Sequence, residues 1–191
     1  MNLTPELVKA FYAAAAKQYD AEFIDKSTSR GMKVIAGFLD IIGVMDKADF
    51  MERCTTTIGS GIYFPYTPGV ATAQYPLDEQ VSTLAHELVH IIQFDDDPVA
   101  FIISYLGDKS ARAEFECQAY AADLEWSWKV NHRGYDIARR AQSLLSYGLG
   151  QDHCDFMRQY LEVQDDIFRQ GGAVSPVVAW AWRWFEEHPN G

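Results

Sequence analysis

The segment His86-Glu87-Leu88-Val89-His90 constrains this chain more than any other. It lies in the stretch Asp78 to Phe94, where Val81, Leu84, Ala85, Ile91 and Ile92 continue an apolar helical pattern on both sides of it. Residues four apart on a helix stand one above the other on the same face. The imidazoles of His86 and His90 can therefore converge on one metal ion at the roughly 2.0–2.1 Å of a zinc–nitrogen bond. Glu87 projects to the side of that pair, from where a carboxylate reaches a water at the metal without occupying the metal itself. Leu88 and Val89 point away from the histidines.

A catalytic metal needs a third protein ligand and an open position. Position 96 holds Asp96, so no third histidine follows at short spacing. The next candidates are Glu114 and Glu116, in Ala113-Glu114-Phe115-Glu116-Cys117-Gln118-Ala119-Tyr120-Ala121-Ala122. Glu114 follows His90 by 24 residues, an interval that suits a turn and an antiparallel return helix. Residues two apart lie about 200° apart around a helix, so the two carboxylates cannot both face one ion.

The H-E-x-x-H pattern is that of zinc metallopeptidases. With a downstream glutamate as third ligand, the chain resembles the gluzincins, and the stretch around Glu114 is similar to the second motif of the ImmA/IrrE-like metallopeptidases. In that motif a glutamate is followed by a small residue and asparagine, three and four positions on, and then by an aromatic or apolar residue and two alanines. Here those places hold Glu114, Cys117, Gln118, Tyr120, Ala121 and Ala122. The resemblance implies that His86, His90 and Glu114 bind zinc and that Glu87 is the general base. It favours Glu114 and leaves Glu116 as the rival ligand. Gln118 departs from the asparagine and sits one turn after Glu114, where a partner that orients a ligand would stand. The resemblance runs from Val81 to Ala122. His90-Ile91-Ile92-Gln93 also looks like uncharacterised bacterial and phage zincin-like proteins with H-E-x-x-H-x-x-Q.

Around this segment the chain reads as one α+β domain over residues 1–191, mostly helical, with a small sheet in the first half and a zincin-like fold as the expectation. Thr4-Pro5-Glu6 starts a helix whose apolar face is Leu7, Val8, Phe11, Tyr12 and Ala15. A second helix covers Arg30 to Val44, with Val34, Ile35, Phe38, Leu39 and Ile42 as its stripe. Thr55 to Ile58 and Ile62 to Tyr66 read as a hairpin around Gly59-Ser60-Gly61, ended by Pro65. The second of these strands is a candidate edge for pairing with an extended peptide. Further helices are expected over Ser110 to Val130, with Ser110 as N-cap, and over Tyr135 to Leu149, Asp152 to Arg169 and Ser175 to His188. Asp95-Asp96-Asp97 reads as a solvated helix end rather than a calcium loop. Trp180, Trp182, Trp184 and Phe185 read as an aromatic helix packed on the core.

Composition narrows the partners. The 191 residues are 48% apolar and 23% charged, which is a folded globular chain. A net charge of −11 argues against nucleic acid and anionic membranes. Cys54, Cys117 and Cys154 have no pairing pattern and read as reduced, buried thiols. With no visible secretory signal or spanning stretch, the expected location is cytoplasmic. The expected activity is zinc-dependent hydrolysis of a peptide or protein, with Tyr120, His132, Tyr135 and His153 as candidates to stabilise the oxyanion. The alternative is a binding or regulatory module that keeps zinc as a structural ion.

Overall fold

In a computed structural model, the protein is described over residues 1–41 and 46–189, with the backbone alone for residues 38–41. It is a mostly helical α+β structure with one three-stranded mixed sheet in its N-terminal half. Helix α1 (Pro5–Tyr19) begins where Thr4 Oγ1 accepts the Leu7 amide at 3.2 Å and Pro5 pre-sets the first turn. Its buried face is Leu7, Val8, Phe11, Tyr12 and Ala15, as the spacing requires. Strand β1 (Glu22–Asp25), helix α2 (Arg30–Ile41) and the short α3 (Lys47–Arg53) follow. The periodicity does not announce β1 or α3, each being shorter than two helical turns or five strand residues. Val34, expected in the stripe of α2, is exposed, and Met32 and Ala36 are the buried residues there. The expected contacts of Phe38, Leu39 and Ile42 lie outside the described residues.

Strands β2 (Thr56–Ile58) and β3 (Gly61–Phe64) form the hairpin. Gly59 takes φ 58° at the first position of the two-residue loop, a conformation that glycine adopts without strain. The sheet order is β1-β3-β2, with β1 parallel and β2 antiparallel to β3. Strand β3 is therefore central, which corrects the expectation that Ile62 to Tyr66 offers a free edge. A strand with bonded neighbours on both sides has no ladder groups left for a peptide. The edges are β1 and β2.

Lys26 fastens this sheet to the helices. Its side chain is wholly buried, and Nζ donates to Phe50 O at 2.9 Å, Cys54 O at 2.7 Å and Thr56 Oγ1 at 2.8 Å. The ammonium also lies over the Phe50 ring, 3.5 Å from its centroid. Burial lowers its pKa from 10.5 to about 8, against the opposing pull of Cys54 and Glu87. Lys26→Met strands three acceptors and is expected to cost roughly 2–4 kcal/mol. Below about pH 8 folded and unfolded chains both hold this proton, so the native state bears the full cost of burying the charge. Between about 8 and 10.5 the unfolded chain binds a proton that the folded chain has lost, and the contribution of this group to stability rises with pH. Burial raises the thiols of Cys54, Cys117 and Cys154 above 9.0 and pulls the other way, so the readout is the difference in urea midpoint between wild type and Lys26→Met, which should move in favour of the wild type across that window.

From Leu77 the chain is helical: α4 (Leu77–Asp96), α5 (Pro98–Gly107), α6 (Lys109–Asn131), α7 (Ile137–Ala141), a 3₁₀ segment (Gln142–Tyr147), α8 (Gln151–Arg169) and α9 (Pro176–Glu187). Helix α4 runs two residues past Phe94, and Asp97 then caps α5 by accepting the Ala100 amide at 2.9 Å. Asp108, not Ser110, caps α6, taking the amides of Ser110 and Ala111. The expected single helix Tyr135 to Leu149 is instead α7 plus the 3₁₀ segment, closed by Gly148 at φ 72°. Among the described residues, no helix is long and apolar enough to cross a membrane.

Helix α4 is the centre of the packing. Val81, Leu84, Leu88 and Ile91 join Phe11, Phe64, Val177 and Phe185 in one core cluster. Trp180 and Trp184 lie against Phe11, with centroids 5.4 and 5.3 Å away, so the half-buried C-terminal tryptophans pack on the core as expected, with Phe185 buried in it. Helix α6 lies along α4 on one side and α8 on the other. Its small residues Ala113, Cys117, Ala119, Ala121 and Ala122 are all buried and allow both approaches. Cys154 on α8 is buried too, and Cys54 is half-buried.

Candidate metal centre

Helix α4 presents His86, Glu87 and His90, all buried, toward α6 and β2. Leu88, about 180° round the helix from the histidine pair, is fully buried, and Val89 is half-buried. One ligand atom each from His86, His90 and Glu116 lies within 4.8 Å of the others, and the three can hold a metal ion. His86 Nε2 is 3.7 Å from Glu116 Oε2, and His90 Nε2 is 3.7 Å from Glu116 Oε1. Two donors about 2.1 Å from one tetrahedral ion stand roughly 3.4 Å apart, so the spacing fits. Glu116 Oε2 is buried and accepts no hydrogen bond. A buried carboxylate oxygen without a donor is costly, and a cation bound here would remove that cost.

The expected third ligand, Glu114, is not in this group. It is exposed, and Glu116 takes the inward place. The reason is the phase of α6. Glu116 sits at the middle of a buried arc made by Ala113, Cys117, Ala119, Tyr120 and Asp123. Glu114 is about 160° away on the wheel, on the solvent side with Gln118.

Both histidines are oriented from behind. Asp123 Oδ2 is 3.3 Å from His86 Nδ1, and Asp123 Oδ1 accepts from Ser82 Oγ at 3.1 Å. Gln93 Oε1 is 2.8 Å from His90 Nδ1. Gln93 Nε2 donates to Phe115 O at 3.2 Å and to Gln118 Oε1 at 3.0 Å, which fixes the amide with its oxygen toward His90. With acceptors at both Nδ1 positions, each ring is held from behind through its Nδ1–H and each Nε2 faces the shared position. Gln118 thus does help to orient a ligand, but through Gln93 and His90 rather than through Glu114.

The local field suits a cation. Burial disfavours a charged His86, yet Asp123, then Glu116 and Glu87, outweigh it and raise its pKa well above the usual histidine value. Burial likewise opposes a charged Glu116, but His90, then His86 and the Tyr105 hydroxyl, keep its pKa below the usual value. Tyr105, on α5, donates to Glu116 Oε1 at 2.6 Å. Burial and that carboxylate push the Tyr105 phenol well up, so it remains a donor. Glu87 is held from the sheet: Thr57 Oγ1 on β2 donates to its Oε2 at 2.5 Å.

The expected oxyanion residues fare differently. The Tyr120 ring meets His86 edge-on at 4.6 Å, but its hydroxyl is engaged by Ser143 at 3.0 Å. Tyr135 donates to Tyr120 O at 2.7 Å, His132 is the exposed C-cap of α6, and His153 pairs with Asp152 at the start of α8. Asp123, Tyr105 and Thr57 were not singled out by sequence. Asp123 had a signal, since it lies two turns after Glu116 on the same face. Tyr105 and Thr57 come from elements whose docking no local pattern reports. No family model, curated protein or solved structure significantly matches the chain.

Proposed function

We propose that this chain is a zinc-dependent peptidase in which His86, His90 and Glu116 hold the metal and Glu87 is the general base. The reading rests on one observation above the others: two imidazoles and a carboxylate with an undonated oxygen meet in a buried site beside a second carboxylate that is not one of the three. Two nitrogens and one oxygen are the donors that catalytic zinc takes. A divalent ion in such a site supplies Lewis acidity to a carbonyl and acidifies a water.

The chain's own groups do the rest. Thr57 fixes Glu87 Oε2, so Oε1 takes the proton from the attacking water and later delivers it to the leaving amine. Tyr105 holds the Glu116 carboxylate in place by donating its one hydroxyl proton to Oε1. Strand β2, as an edge, offers backbone groups to an extended peptide in the role first expected of β3.

The experiment is metal analysis of purified protein with hydrolysis of an unstructured protein substrate. About one zinc per chain, and cleavage that a chelator abolishes and zinc restores, are expected. His86→Ala should lose both. Full metal loading in His86→Ala would refute the site, and stoichiometric zinc with no cleavage of any substrate would leave the ion a structural one.

A further inference from the structure

We propose, on the reading of His86, His90 and Glu116 as the metal centre, that α5 is a hinged lid over it, latched by Tyr105 and Arg112. The centre is closed off. The two histidines are each 7% exposed and Glu116 is 1% exposed. Some element must lift before an ion or a substrate carbonyl reaches them. Helix α5 stands over the Glu116 side. Tyr105 donates to Glu116 Oε1, and its ring lies edge-on to His90 with centroids 6.3 Å apart.

The fold makes this helix the easiest piece to move. It is the whole connection between the two ligand-bearing helices. One non-helical residue sets it off at each end, Asp97 before it and Asp108 after it, both in extended backbone. A few residues at element ends are where hinge rotations are absorbed. No residue of α5 is buried, whereas α4 buries nine and α6 eleven. One aromatic face holds it down: Phe101 and Tyr105 against Phe94 and Phe115, all four half-buried. A segment with so few buried contacts opens locally at a fraction of the cost of global unfolding. Two polar latches keep it shut. The first is the Tyr105 bond to Glu116. The second is Arg112 on α6, which donates from Nε to Tyr105 O at 2.6 Å and from Nη2 to Leu106 O at 3.1 Å. Its Nη1 donates to Tyr147 O at 3.0 Å, so the guanidinium ties the end of α5 to the 3₁₀ segment. Lifting α5 breaks the bonds to α5 and uncovers half-buried rings, while α4 and α6 keep their own cores.

The test uses the full-length protein, stripped of metal by a chelator, so neither readout needs zinc or peptidase activity. Hydrogen exchange read by mass spectrometry follows the opening of α5. The rate at which diethylpyrocarbonate modifies His90 follows access to the centre. In the wild type, protection factors in α5 should be at least about a hundredfold smaller than those of Val81 to Ile91 on α4. Arg112→Ala removes charge-assisted bonds that only the closed lid makes. Exchange in α5 and modification of His90 should then both rise about tenfold, with exchange in α4 unchanged. Tyr105→Phe removes the other latch and should raise both rates several-fold, and it serves where Arg112→Ala does not fold. Ile103→Ala, at an exposed position on the same helix, should change neither rate. Protection in α5 as high as in α4 would overturn the lid. So would latch variants that leave both rates unchanged, or that speed α5 exchange without speeding His90 modification. A protein that takes up no zinc would refute the metal centre, and the same two rates would still decide whether α5 opens over these residues.

Discussion

Glu116→Ala is expected to lower zinc affinity by at least about a hundredfold, while Glu114→Ala leaves it unchanged. The lower bound follows because partners that merely orient ligands are already worth about 10–100-fold, and a ligand is worth more. Glu116 is 1% exposed, and its two oxygens lie 3.7 Å from the two Nε2 atoms. Glu114 is exposed, so its loss removes a solvated charge. Deleting Glu116 also leaves His86 with Asp123 and Glu87 as its acidic neighbours, so the variant should keep its fold. Competition with a zinc-chelating dye, on the two variants side by side, reads the difference directly. Equal loss in both would mean that α6 rotates to a different phase in solution. Loss in Glu114→Ala alone would restore the ligand set implied by the family resemblance.

Glu87→Gln is expected to keep the metal and lose hydrolysis by about 10²–10⁴-fold, the range for removing a general base. The isostere keeps an oxygen that can accept from Thr57, whose hydroxyl now donates to Oε2. It cannot take a proton. Zinc content and the thermal melt should therefore stay near wild type while turnover falls, a separation that no ligand variant shows. A Glu87→Gln protein that cleaves normally would remove Glu87 from the chemistry. One that loses zinc would make Glu87 part of the ligand set instead of the base beside it.

The divide between what was legible in the sequence and what was not follows the range of the interactions. The helix around His86 and His90 was legible, because i, i+4 spacing and apolar periodicity are properties of about five turns of one chain segment. So were α1 with its Thr4-Pro5 start, the hairpin at Gly59, and the packed aromatics of α9. The mostly helical α+β class follows from these local patterns. The third member of the cluster was only half legible. Two glutamates stood two residues apart, and the motif resemblance favoured Glu114, which the structure leaves exposed and outside the cluster. The buried arc of α6 decided for Glu116, and that arc exists because α6 is gripped by α4 and α8 together. A helix buried on two sides carries little one-sided periodicity, so its inward face is poorly marked in the sequence.

The His-x-x-x-His pair and the helix that bears it were thus determined by sequence alone, since neighbours along one helix have fixed relative positions whatever surrounds them. Tertiary structure alone put Glu116 across from them, brought Tyr105 over the carboxylate, set Thr57 against Glu87 and made β3 the central strand. Each of these joins segments 11 to 39 residues apart. Their approach depends on how whole elements pack, and burial of side chains far from the site sets that packing.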